Sequence, residues 1–119
     1  MRARFLATGL LTAAACASTH PLMVGSWPVE DDRVAARGAE QRARQLEQSL
    51  SEASAGTAPP ACSRVCELVG QICELSHDIC ALSGRHPGDP ELADRCASGE
   101  QRCRRSLDRV PPGCSCPPP

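Results

Sequence analysis

The sequence predicts an all-α fold, a small antiparallel helical hairpin stapled by disulfides. Three observations carry that reading. Eight of the nine cysteines in this 119-residue chain lie beyond position 61. Cys66, Cys73 and Cys80 are spaced by seven, and so are Cys96 and Cys103. Seven residues fall within about 20° of two full helical turns, so each set occupies one face of its helix. The residue numbers of Cys73 and Cys103 add to the same 176 as those of Cys80 and Cys96. A constant sum is what two facing antiparallel helices produce.

Composition agrees. One Trp, one Phe and no Tyr exclude a large aromatic core. Below about 70 residues a core seldom suffices without disulfides or metals. A net charge of −1 and the lack of aromatics argue against nucleic-acid binding. All thirteen basic residues are Arg, which with the Ala, Pro and Gly content reads as high-GC bacterial coding.

The N-terminus reads as an export signal over residues 1–15. Arg2 and Arg4 precede an apolar and small-residue run from Phe5 to Ala15. That run falls well short of the roughly 20 residues that span a bilayer and fits a signal-peptide core. It ends Leu11-Thr12-Ala13-Ala14-Ala15-Cys16, which resembles a bacterial lipobox, where cleavage precedes a cysteine that carries a diacylglyceryl thioether. Ala13 stands where that pattern prefers Leu. Ordinary cleavage after Ala15 or Ala17 is the alternative, giving a secreted or periplasmic protein. Pairing of the eight distal cysteines leaves Cys16 odd, and an odd cysteine in an exported chain needs its own explanation. Lipidation supplies one and implies membrane anchoring without a spanning helix.

Residues 16–31, with Pro21, Gly25 and Pro28, read as a flexible tether. Asp31 and Asp32 are expected to cap a polar amphipathic helix over 32–52, rich in good helix formers. Ala36, Ala39, Ala43, Leu46 and Leu50 form one narrow apolar stripe on it. This helix either docks on the cysteine domain or stands as a solvated stalk. Residues 53–60 read as a linker.

Residues 61–116 are the cysteine-rich hairpin, followed by a tail over 117–119. Its first helix is expected from Ala61 to Ser83, with Gly84 as the stop. Asp89 caps the second helix, Pro90 takes its first position, and Pro111 and Pro112 end it near Val110. Cys80–Cys96 then closes beside the loop and Cys73–Cys103 about 10 Å further down. Such bridges bring the backbones unusually close, and Ser76 and Gly99 lie between them as small neighbours. Cys62 and Cys66 must pair with Cys114 and Cys116. A nested order, Cys66–Cys114 and Cys62–Cys116, is slightly preferred, while the constant sum favours Cys62–Cys114. A structural zinc site is the competing chemistry, but sulfurs spread along a helix do not converge on one point. His77 and His86 are read as solvated rather than as ligands, so no metal and no cofactor is assigned.

A second row, Val65, Leu68, Ile72, Leu75, Ile79 and Leu82, runs about 100° around the first hairpin helix from the cysteines. A two-helix hairpin leaves it wet. Either residues 32–52 fold back over it, or it is a candidate face for an envelope protein partner or for self-association. Arg95, Arg102, Arg104, Arg105 and Arg109 on the second helix are expected to meet Glu67, Glu74 and Asp78 across the hairpin, or to form a solvated face.

The chain resembles uncharacterised lipoproteins of high-GC bacteria that carry a lipobox-like cysteine and a distal cysteine-rich helical hairpin. Cys16 and the block from Ala61 to Cys116 carry that resemblance, which covers most of the chain and implies no activity. The hairpin is also similar to twin Cys-x9-Cys hairpins, although the spacing here is Cys-x6-Cys and only the architecture transfers. No nucleophile motif, phosphate loop or Cys-x-x-Cys redox motif is present, and the neighbours Ser76, His77 and Asp78 point different ways on a helix. The expectation is a non-enzymatic, lipid-anchored structural or interaction module of the bacterial envelope, with no small-molecule substrate. The alternative is metal or thiol handling through the distal cysteines.

Overall fold

The computed structural model describes residues 28–55 and 60–119. It contains three helices, α1 (Val29–Ser54), α2 (Cys62–Arg85) and α3 (Pro90–Asp108). The signal segment, Cys16 and most of the expected tether and linker lie outside the described residues.

Helix α1 starts earlier than its acidic residues suggest. It opens directly after Pro28, placing Glu30, Asp31 and Asp32 in the first turn, where the helix dipole favours negative charge. Asp31 and Asp32 are therefore not the caps, and Asp32 is turned to another use described below. Helix α2 runs through Gly84 to Arg85. No described glycine has positive φ, so Gly84 does not supply the left-handed stop expected of it. Asp89 does cap α3, accepting a hydrogen bond from the Leu92 N–H at 2.9 Å, and Pro90 is the first helical residue.

The three helix interfaces differ in chemistry. Helices α2 and α3 are antiparallel and joined by sulfur. Helices α1 and α2 are antiparallel and joined by aliphatic side chains, with Leu50, Val65, Leu68, Val69 and Ile72 forming a core at one end. At the other end Ala36, Ile79 and Leu92, one from each helix, form a second cluster. Helices α1 and α3 are parallel, and their contact is mostly ionic.

Helix α1 thus docks on the hairpin, the first of the two readings open in the sequence. Val65, Ile72 and Ile79 are 0 % exposed and Leu68 1 %. Leu75 and Leu82 are half-buried. The aliphatic row is therefore not a free partner face; it is the protein core. The row lies about 100° from the cysteine face, which leaves room for a third helix beside α3. At about 1.5–3 kcal/mol for each large aliphatic side chain fully buried, this packing is a major source of cohesion.

Candidate functional site

The cysteine face was the strongest signal in the sequence, and the structure assembles it in full. Cys80–Cys96 and Cys73–Cys103 are bridged, each with Cα atoms 4.6 Å apart. Such close backbones need a small residue between the bridges. A Cβ built on Gly99 would sit 2.9 Å from Ser76 Oγ and 3.3 Å from Ser76 Cα, so only glycine fits without a shift.

The end bridges are exchanged relative to the preferred nested order. The structure pairs Cys62 with Cys114 and Cys66 with Cys116, not Cys66 with Cys114 or Cys62 with Cys116. A turn explains it. The Cys114 N–H donates to the Pro111 carbonyl at 2.9 Å, so the chain reverses at Pro111-Pro112-Gly113. Beyond that turn it runs alongside α2 in the same direction. Cys62 and Cys66 are one helical turn apart, about 6 Å, and two extended residues from Cys114 to Cys116 cover about 6.6 Å. The two spacings match, and the direction of the chain after the turn makes the order parallel.

With these four bridges, none of the eight distal cysteines is a free thiol. Cys80, Cys96 and Glu100 come close enough together to suggest a metal cluster, but both sulfurs belong to one disulfide. Ser76 is buried whereas His77 and Asp78 are exposed, so these three neighbours do not form one constellation. His86 is not simply solvated: its Nε2 lies 2.8 Å from Asp32 Oδ2.

That contact belongs to an ionic ladder which the sequence reading missed. Asp32, with its side chain 6 % exposed, also accepts two hydrogen bonds from Arg85, at 2.7 and 3.1 Å. Arg33 pairs with the capping Asp89, Arg37 with Glu91 at 3.0 Å, Glu40 with Arg95, and Glu47 with Arg102 at 3.0 Å. Along the α1–α3 contact, hydrogen-bonded partners are 54 to 56 residues apart. A constant difference is what two parallel helices in register produce, the counterpart of the constant sum for the hairpin. Arg95 and Arg102 therefore face α1, not Glu67, Glu74 and Asp78 on α2. The Arg85 guanidinium holds the Asp32 carboxyl below the usual range against the opposing effect of burial, with His86 adding to it. Arg33, then the Leu92 N–H, do the same for Asp89.

A groove of about 750 Å³ lies between α2 and α3, lined only by these helices and Pro119. Cys73 and Cys103 of one bridge and Cys80 of the other line it together with Ser76, and Glu74, His77, Asp78, Glu100 and Arg104 border it. A second groove of about 420 Å³ is lined by Arg42 and Leu46 of α1 and by Glu74, Leu75 and Asp78 of α2. No helix among the described residues is long and apolar enough to cross a membrane. No family model, curated protein or solved structure matches the chain.

Proposed function

We propose that this chain is a non-enzymatic module of the bacterial cell envelope, exported and held at a membrane by a lipid on Cys16, with a structural or protein-interaction role. The observation that supports it most is the complete pairing of the eight distal cysteines. Disulfides persist in oxidising compartments, which favours export. Complete pairing also leaves Cys16 without a partner in the chain, as a lipidation site requires. The bundle packed along the 26-residue α1, about 39 Å long, suits a compact spacer or scaffold at a membrane surface. Metal or thiol handling through the distal cysteines requires free thiolates, which the bridges remove.

The test is the intact mass of the native protein without reduction. The expected mass is that of the chain from Cys16 onward, plus a diacylglyceryl group, minus the eight hydrogens lost to four bridges. Cys16→Ser is expected to release the protein from the membrane fraction with the distal bridges intact. A soluble wild-type protein cleaved at another position would remove the anchoring half of the reading. Free thiol in the distal domain, together with stoichiometric metal uptake, would replace the reading with the metal-handling one.

A further inference from the structure

The disulfide nearest the α2–α3 loop has a carboxylate beside it. Cys80 Sγ, Cys96 Sγ and a carboxylate oxygen of Glu100 all lie within 4.8 Å of one another. The helical register produces this. Cys80 and Cys96 face each other with Cα atoms 4.6 Å apart. Glu100 follows Cys96 by one turn, about 40° around α3 on the side of the 750 Å³ groove. A helical side chain leans toward its own N-terminus, which carries the Glu100 carboxylate back to the level of the bridge. Cys80 and Cys96 are half-buried, and Glu100 is exposed and forms no ion pair among the described residues. The other charged and polar residues of the groove do not join this set. Asp78 sits about 160° around α2 from Cys80, the His77 side chain leans away from Cys80, and Glu74 and Arg104 stand about two turns from the bridge. Among the described residues this is the one place where three metal-ligating side chains converge, and the deeper bridge Cys73–Cys103 has no counterpart.

We propose that the Cys80–Cys96 bridge is a reduction-gated site for a thiophilic divalent cation such as zinc, ligated by Cys80, Cys96 and Glu100 with the fourth position open to the groove. In the oxidised protein the two sulfurs are bonded to each other and take no metal. Two molecules of a low-molecular-weight thiol open the bridge. The S–S bond breaks, the two thiols join as one disulfide, and their two electrons and two protons pass to Cys80 and Cys96. The cation then takes the two thiolates and releases both protons to solvent. Two thiolates each about 2.3 Å from one tetrahedral ion lie about 3.8 Å apart, a spacing that χ1 rotation supplies once the S–S bond is gone. Thiolate and carboxylate are both ordinary zinc ligands, and three protein ligands with one open position is a familiar zinc arrangement. The bound ion holds the loop end of the hairpin closed in place of the bridge. This goes beyond the envelope reading and holds with or without a lipid on Cys16. It also differs from standing metal handling, because one bridge must first be reduced.

The experiment uses the full chain with Cys16→Ser, so that every thiol counted comes from a bridge. The oxidised protein is equilibrated in a series of glutathione redox buffers with and without zinc chloride. Alkylation and peptide mass mapping then give the reduced fraction of each bridge. Zinc binds only the reduced form, so at zinc well above the dissociation constant the reduced-to-oxidised ratio of Cys80–Cys96 is expected to rise by about tenfold or more. The other three bridges are expected not to move. Glu100→Gln is expected to remove most of the response, whereas Asp78→Asn, in the same groove but facing away, is expected to keep it. Cobalt in place of zinc is expected to give thiolate-to-metal charge-transfer absorption that grows in step with reduction of this bridge. A Cys80–Cys96 bridge whose reduction ignores zinc overturns the proposal. So does a zinc response shared by all four bridges, one that survives Glu100→Gln, or one that Asp78→Asn removes as well. Stoichiometric zinc uptake by the untreated, fully oxidised chain overturns the gating by reduction.

Discussion

Two small residues of α3 meet opposite circumstances, and methylation of one resembles truncation of the other only on paper. Gly99 sits where a Cβ would press on the Ser76 backbone at 3.3 Å. Gly99→Ala adds roughly 1 kcal/mol of helix propensity but overpacks a contact pinned on both sides by disulfides, at a cost of about 1–3 kcal/mol. The expected result is net destabilisation in chemical unfolding, partly relieved by Ser76→Gly in the same chain. Ser106 is 0 % exposed and its hydroxyl has no hydrogen-bond partner among the described residues. Ser106→Ala removes an unsatisfied buried group and favours the helix, so it is expected to stabilise by about 1 kcal/mol. An unfolding midpoint that falls for Ser106→Ala would contradict that account of the site.

At the scale of the element, α1 is the helix without a disulfide. Its buried apolar side chains are Ala36, Ala43 and Leu50, two of them small, so its ionic contacts matter more than they would on a larger face. Asp32 and Asp89 are both held below their ordinary value of 3.8 in the folded protein. A lowered folded value means that the unfolded chain takes up the proton first. The stabilisation is therefore fully present above about pH 4 and is lost as the pH falls through the lowered values. Acid is thus expected to loosen α1 before it disturbs the disulfide-bonded pair. Hydrogen exchange in a pH series should show α1 amides losing protection below pH 4 ahead of those of α2 and α3. Asp32→Asn should flatten that acid dependence while weakening α1 docking at neutral pH. The sequence disclosed that α1 is a helix, since its formers and stripe are local features. Its docking was legible only as one of two readings. Its partner on the charged side was not legible at all. The constant difference between Arg37 and Glu91, or Glu40 and Arg95, becomes a signal only once α1 and α3 are known to be parallel neighbours.

Across the whole molecule the four bridges are not equivalent. Cys62–Cys114 and Cys66–Cys116 close nearly the same loop, 52 and 50 residues apart in sequence. In the chain-entropy model the first such closure stabilises by about 4 kcal/mol, and the second adds little because the ends are already together. Replacing either pair by serines should cost much less than half of replacing both, a non-additivity that unfolding of the three variants measures directly. The order of the end bridges is also open to a direct check. Trypsin cleaves after Arg64 and separates Cys62 from Cys66. Fragmentation between Cys114 and Cys116 should then find Cys62 joined to Cys114.

Periodicity and the antiparallel sum were enough to place Cys73–Cys103 and Cys80–Cys96, to put glycine at position 99, and to begin α3 at Pro90 after an Asp89 cap. Each of these follows from the fixed rise and turn of a helix, which the sequence encodes locally. The end bridges, the covering of the aliphatic row and the ionic ladder were decided only in three dimensions. The bridges depend on the reversal at Pro111-Pro112-Gly113, where helical geometry no longer applies. The covering depends on the chain crossing back from α1 to α2, and the ladder on two helices that never adjoin in sequence. Spacing within a helix constrains what shares a face; which face meets which is settled by the free energy of packing all three together.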